Sequence, residues 1–113
     1  MRILREPVEL SSLLAEIDAG FNDMLKIVVD IQRKVLAVDA EMHSDLESIL
    51  LDDGSKQSFL WGANIYPDKK GQDFIEYTSF INIRPSDKNK SMELLDVNLR
   101  EKVLNIVNEL IVK

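Results

Sequence analysis

An alternation of apolar and polar side chains near the middle of the chain constrains the fold more than any other feature. From Leu25 to Ile31 every second residue is aliphatic, and much of the stretch is β-branched. A period of two places alternate side chains on opposite faces of a β-strand, and β-branched residues favour a strand over a helix. The sequence therefore predicts a strand here with one buried face.

A second apolar stretch follows directly and predicts the partner strand of a hairpin. If Arg33 and Lys34 form a two-residue turn, the apolar residues of both strands share one face. The turn has neither Gly nor Asn, which is unusual for a hairpin of this type. The register predicts three apolar cross-strand pairs: Ile31 with Leu36, Val29 with Val38 and Ile27 with Ala40.

A second hairpin is predicted from residues 59–66 and 74–84. The loop between them contains Pro, Gly and Asp, which are typical of hairpin connections. In this register Asn64 lies opposite a residue near Glu76, and Asn82 lies roughly 20 Å farther along its strand. The two asparagines are therefore expected to serve different ends of the sheet.

Apolar residues spaced by three and four positions predict two helices around the first hairpin. The first covers residues 10–17, with Gly20 as its C-cap. The second begins with a capping box of Ser44 and Glu47 and ends at Asp52-Asp53-Gly54. Those last three residues would also suit a tight turn between two short strands, but we prefer the helix.

A third helix, with Asp96 as its N-cap and an apolar stripe ending at Leu110, completes the predicted elements. Ile3 and Leu4 predict an edge strand before the first helix. The fold class is then α+β: one antiparallel sheet of two β-hairpins, with N-terminal, central short and C-terminal helices covering one face. The 113 residues suit a single domain, 1–113, with one core.

Composition limits the classes of function. Twenty acidic and 14 basic side chains give a net charge of -6, which makes nucleic acid an unfavourable partner. The absence of cysteine excludes thiolate chemistry, and the four glycines form no P-loop or dinucleotide fingerprint. No apolar run approaches the roughly 20 residues of a membrane span. We expect an acidic cytoplasmic protein without membrane contact, and we assign no cofactor.

Four short motifs occur in one order along the chain. His-Ser-Asp-x-Glu occupies 43–47, Asp-Gly-Ser-Lys-Gln occupies 53–57, Leu-Trp-Gly-Ala-Asn-Ile-Tyr-Pro occupies 60–67, and Ile-Asn-Ile-Arg-Pro-Ser occupies 81–86. The set resembles a family of small prokaryotic proteins catalogued only as a domain of unknown function. The resemblance covers nearly the whole chain and implies one complete domain. It implies no activity, ligand or catalytic residue.

The only histidine lies close in sequence to carboxylates that acid–base catalysis or a metal would use. The catalytic candidates are His43, Asp45, Glu47 and Asp53. The structural alternative is stronger, because carboxylates in the first turn of a helix are favoured by the helix dipole and by capping. A single histidine among scattered carboxylates has no defined ligand spacing, so we assign no metal ligands.

Arg84 and the loop after it form the best local candidate for binding an anion. Arginine offers two parallel N–H donors, and the loop offers free amides together with Ser86, Lys88 and Lys90. Asp87 reduces the positive charge, however, and solvated lysine-rich loops are common. The alternative is therefore an ordinary solvated loop.

Three further polar or aromatic residues are candidate ligand contacts. Asn64 and Asn82 each begin an Asn-Ile-x-Pro pattern, and Trp61 next to Gly62 would provide a stacking surface. The alternative is structural in each case. Each asparagine would bond loop backbone where its strand ends, and the tryptophan would lie in the core.

These signals support a binding or regulatory module that recognises a partner protein or a small anionic ligand, with a homodimer as an option. Strand-end polarity without a catalytic triad is the basis for this hypothesis, and we lean towards a protein that is not an enzyme. The alternative is a small hydrolase-type enzyme that uses His43 with the nearby carboxylates. A third hypothesis is nucleic-acid contact through Lys69, Lys70, Lys88 and Lys90.

Overall fold

Strands and helices alternate along the chain in the computed structural model, which describes residues 1–17 and 23–113. The elements are β1 (Arg2–Leu4), β2 (Val8–Glu9), α1 (Leu10–Glu16), β3 (Leu25–Asp30), β4 (Val35–Val38), α2 (His43–Asp52), β5 (Leu60–Ile65), β6 (Ile75–Glu76), α3 (Val97–Leu110) and β7 (Ile111–Val112). Within these residues, five strands form an antiparallel sheet in the order β1-β4-β3-β5-β6, and β2 pairs with β7 in parallel. The predicted α+β class with an antiparallel sheet is confirmed, as is the edge strand at Ile3 and Leu4.

The first hairpin forms, but its register differs from the predicted one by two residues. Val29 pairs with Leu36, and Ile27 pairs with Val38 instead of Ala40. Asp30 explains the shift, because its carboxylate accepts the backbone N–H groups of Gln32 and Arg33 and so builds a four-residue turn. A shift of two residues keeps every side chain on its predicted face, so the face assignment remains right while the pairs were wrong.

Helices cover both faces of the sheet, and the prediction that they cover one face was wrong. Val28 and Ala37 pack against Leu46 and Leu50 of α2, whereas the neighbouring side chains of β3 and β4 face α1 and α3. The physical reason is that these strands are apolar on both sides, as strands buried between two layers are. Val28 breaks the alternation on which the one-sided prediction rested.

The second hairpin is much shorter than predicted. Its strand β6 contains two residues, and Asn64 pairs with Glu76 as expected. The rest of the predicted strand, 77–84, does not pair with β5 as a strand: residues 77–79 bond to 92–94, and the chain then makes 3-10 turns. Ser79 starts the first turn, because its hydroxyl accepts the N–H of Ile81 and competes with strand pairing.

The ends of two helices differ in how well the sequence predicted them. Asp96 caps α3 as expected, since its carboxylate accepts the N–H groups of Asn98 and Leu99. Helix α2 begins at His43 with Met42 as its N-cap, so the predicted capping box at Ser44 is wrong. An N-cap requires an extended backbone, and Met42 has it. Ser44 lies two residues later, inside the helix. Gly20, the predicted C-cap of α1, lies outside the described residues.

No helix in the described parts of the chain is long and apolar enough to cross a membrane.

Candidate functional site

Asn82 completes the edge of the sheet beside β5, at the point where β6 has ended. Its side-chain oxygen accepts the N–H of Gly62 at 2.8 Å, and its Nδ2 donates to the Gly62 carbonyl at 3.0 Å. The carboxamide thus makes the two bonds that a neighbouring strand residue would make. Asn82 therefore lies beside a residue two positions from Asn64, and the predicted separation of roughly 20 Å was wrong, because residues 77–82 fold back over β5.

A second buried asparagine anchors the loop that follows. The Nδ2 group of Asn89 donates to the carbonyls of Asn82, Ser91 and Glu93, and its side-chain oxygen accepts the N–H of Leu95. The loop therefore has a fixed backbone. Its predicted ligand residues Ser86, Lys88 and Lys90 are all exposed on it.

Arg84 points inward instead of joining the exposed lysines of its loop. The side chain is 9% exposed, its guanidinium lies 3.7 Å from the Trp61 ring centroid, and Nη1 donates to the carbonyl of Gln57. Its Nε lies 3.5 Å from the Asp87 carboxylate. Burial lowers the pKa of Arg84, and the carboxylates of Asp87 and Glu47 oppose that shift. Arg84 therefore anchors its loop to the Gln57 carbonyl, and its guanidinium covers the Trp61 ring.

His43 lies at the start of α2, packed against β5. Its Nε2 donates to the carbonyl of Ala63 at 2.9 Å. Burial lowers the pKa of His43 below its usual value, and Lys26 lowers it further, while the contacts with Ala63 and Asn64 act in the opposite direction. The neutral imidazole is therefore the form that this site favours.

The carboxylates predicted to assist His43 are distributed along α2. Asp45 is exposed and Glu47 is half-buried one turn after His43. Asp53 lies at the other end of the helix, where hydrogen bonds from Arg5 and Arg33 lower its pKa to about 2. In the part of the chain that the structure describes, no three His, Cys, Asp or Glu side chains come together to hold a metal ion.

The lowered pKa of His43 predicts a pH dependence of stability. The unfolded chain takes up a proton near pH 6.5, but the folded protein does so only at lower pH. We therefore expect the free energy of unfolding to fall as the pH decreases from 7 to 5. Urea unfolding of the His43→Gln variant should show a flatter dependence over the same range. Equal slopes for both proteins would contradict this assignment.

A groove of about 900 Å³ runs between the β6 edge of the sheet and α3. One wall is a stripe of α3 formed by Arg100, Leu104 and Asn108, which repeat every four residues on one side of the helix. The other wall comes from the loop between β5 and β6, from β6 and from the two residues after it. Its residues include Tyr66, Phe74, Ile75, Glu76, Tyr77 and Thr78.

Aromatic rings hold the cations of this groove. Arg100 lies over Tyr77 at 5.1 Å from the ring centroid, Lys69 over Tyr66 at 4.7 Å and Lys113 over Phe74 at 3.7 Å. Cation–π contacts orient a charge without neutralising it. Burial also raises the pKa of Tyr66 and Tyr77 above its ordinary value. The groove also contains three carboxylates: Asp73, Glu76 and Glu93.

Arg100 differs from the other arginines of the chain in its electrostatic partners. Four of the five arginines form ion pairs: Arg2 with Glu16, Arg5 and Arg33 with Asp53, and Arg84 with Asp87. Across residues 1–17 and 23–113, no carboxylate pairs with Arg100. Its Nε donates to the carbonyl of Leu94, which fixes the guanidinium at the groove wall.

The sequence offered no direct signal for this groove. Tyr77 lies within the predicted strand of residues 74–84, and Arg100 lies within the predicted third helix without belonging to its apolar stripe. The groove is formed by residues about 30 positions apart in the sequence. Which arginines form ion pairs with carboxylates is decided only in the folded chain.

Comparison with known proteins gave a family and no function. The family model described as "Protein of unknown function (DUF5674)" matches residues 2–110. No curated protein sequence and no solved structure matches the chain significantly.

Proposed function

Since this chain belongs to the DUF5674 family, whose description carries no function, we propose a function from the geometry of the groove. The protein is a binding module that holds an anionic ligand between β6 and α3. The ligand would carry a carboxylate or phosphate group, and Arg100 would be its principal contact. The volume of the groove lies in the range of known ligand sites, and its lining combines charged side chains with aromatic and aliphatic ones.

The observation that carries the proposal is that no carboxylate of the described residues pairs with Arg100. Guanidinium groups bind carboxylates and phosphates through two parallel N–H bonds, which makes an arginine without a carboxylate partner suited to a ligand. The chain has six more acidic than basic side chains, yet none of the described ones pairs with Arg100. The Leu94 carbonyl and the Tyr77 ring orient this side chain in advance, which reduces the entropy lost on binding.

The carboxylates of the groove bear on the kind of anion that would bind. Glu76 accepts hydrogen bonds from the Tyr66 hydroxyl at 3.1 Å and from Asn64 at 2.9 Å, so its charge is partly satisfied. Asp73 and Glu93 are exposed at the rim. Three carboxylates opposite three cations favour a ligand with one or two charges over a polyanion such as nucleic acid.

This proposal keeps the class of ligand that the sequence suggested and moves its site from Arg84 to Arg100. Arg84 has the Trp61 ring, the Gln57 carbonyl and Asp87 as partners, and its Nε and Nη2 are buried without a hydrogen bond to any described residue, away from the walls of the groove. Its structural role is to hold the loop that follows residues 77–79, which belong to the same sheet edge as the groove.

Substitution of Arg100 tests the proposal. We expect the Arg100→Ala variant to lose about 10- to 100-fold in affinity for anions, because a charge-assisted hydrogen bond contributes about 1.5–3 kcal/mol. The probes are inorganic phosphate, acetate and glutarate, titrated while the backbone amide NMR signals are recorded. In the unmodified protein the shifts should map to residues 75–78 and 100–108.

The control is Lys102→Ala, which removes an exposed cation from the same helix outside the groove. This variant should bind the probes as the unmodified protein does. Equal affinity of Arg100→Ala and Lys102→Ala, or shifts that map only to the Arg84 loop, would contradict the groove as the site.

A further inference from the structure

The strand β6 directs its free peptide groups away from the sheet. The N–H of Tyr66 donates to the carbonyl of Phe74 at 2.8 Å, and Ile65 is the Cα partner of Ile75. In an antiparallel ladder, hydrogen-bonded and non-hydrogen-bonded pairs alternate, so the Ile65 and Ile75 pair is not hydrogen-bonded. The N–H and C=O groups of Ile75 therefore point away from β5.

No further strand of the described chain pairs with β6 on that side. β6 is the last strand of the sheet, and the contact with residues 92–94 begins only at Tyr77, whose carbonyl accepts the N–H of Leu94. Ile75 also lines the groove, although only 7% of the residue is exposed. An edge strand with free peptide groups is a template for adding another extended chain.

The groove has the length of a short peptide. The α3 stripe from Arg100 to Asn108 spans roughly 12 Å at about 1.5 Å per residue. Five extended residues span roughly 13 Å between their first and last Cα atoms. Arg100 lies near the start of α3 and Lys113 lies beyond its end, so the two cations stand at opposite ends of the groove.

From these observations we propose that the ligand is an extended acidic peptide that adds to the β6 edge as a further strand. Its backbone would pair with the N–H and C=O of Ile75, and its carboxylates would reach Arg100 and Lys113. This inference rests on the proposed function, because it specifies the class of anion held in the same groove.

The probe is the peptide acetyl-Glu-Leu-Glu-Leu-Glu-amide, compared with glutarate as a small dicarboxylate. The peptide should bind at least 10-fold more tightly than glutarate, since it adds backbone hydrogen bonds to the charge contacts. Hydrogen exchange of the Ile75 amide should slow by at least 10-fold in saturating peptide. Glutarate should leave that exchange rate unchanged.

Two N-methylated peptides make the test specific for strand addition. Successive N–H groups of a strand point to opposite sides, so methylation of the two leucine amides and methylation of the three glutamate amides block different edges. One of these two peptides should bind at least 10-fold more weakly than the unmodified peptide, and the other should bind as the unmodified peptide does. The Arg100→Ala variant should bind the unmodified peptide at least 10-fold more weakly.

The outcomes separate this inference from the function on which it rests. If both methylated peptides bind like the unmodified one while Arg100→Ala weakens binding, strand addition is wrong and the anion site stands. If glutarate binds through Arg100 and the peptide does not bind, the same conclusion follows. If Arg100→Ala binds every probe as the unmodified protein does, both proposals are wrong.

Discussion

Replacing Asn82 with alanine is expected to lower the free energy of unfolding by about 3 kcal/mol, because it leaves buried peptide groups unpaired. The Asn82 side chain makes two hydrogen bonds to Gly62 and donates a third to the carbonyl of Met92. The residue is fully buried, so water cannot take over these bonds. Urea denaturation measures the loss directly.

The matched control is Asn98→Ala, which changes an exposed asparagine on α3. It should alter the free energy of unfolding by less than about 0.5 kcal/mol. Asn82→Asp offers a second comparison, since a carboxylate retains the acceptor for the Gly62 N–H but turns a second oxygen towards the Gly62 carbonyl. A loss below about 1 kcal/mol for Asn82→Ala would show that its carboxamide does not complete the sheet edge.

Replacing Gly62 with alanine is expected to destabilise the fold by about 2–3 kcal/mol through steric overlap. A Cβ atom at this position would lie 2.6 Å from the Cβ of Ser79, 2.7 Å from its Oγ and 3.2 Å from Cγ1 of Ile81. Gly62 has no positive φ, so its backbone conformation suits alanine. The cost therefore comes from the close packing of residues 79–81 over β5.

A double-mutant cycle isolates that overlap. Ser79→Gly removes both of the closest atoms and on its own loses the hydrogen bond from the Ile81 N–H. In the Ser79→Gly background, Gly62→Ala should cost at least about 1 kcal/mol less than in the unmodified protein. Additive effects of the two substitutions would place the strain elsewhere.

The first hairpin shows which part of a fold local sequence can predict. The alternation from Leu25 onward identified the strand and its faces, because the period of side-chain directions is a property of the backbone itself. It did not identify the pairs, since a turn set by the side chain of Asp30 decided them. It also did not reveal that Val28 faces a second layer.

The candidate site shows the corresponding limit for function. Residues around His43, Asn64 and Arg84 were predicted because their types are unusual or reactive at those positions. The structure assigns Arg84 and Asn82 to bonds with backbone and rings, and such partners cannot be read from spacing along the chain. Arg100 was missed because its distinguishing property is that no carboxylate among residues 1–17 and 23–113 pairs with it, and pairing is not visible in the sequence.

The sequence by itself determined the α+β class, the antiparallel strand at Leu25–Asp30 with its faces, and the capped helix after Asp96. Each depends on contacts between residues a few positions apart, where backbone geometry dictates the pattern. Only the tertiary structure decided that helices cover both faces, that Asn82 replaces a strand beside β5, and that Arg100 faces a groove. These features depend on which distant groups meet, and buried polar groups and charges select those partners through the free-energy cost of remaining unpaired.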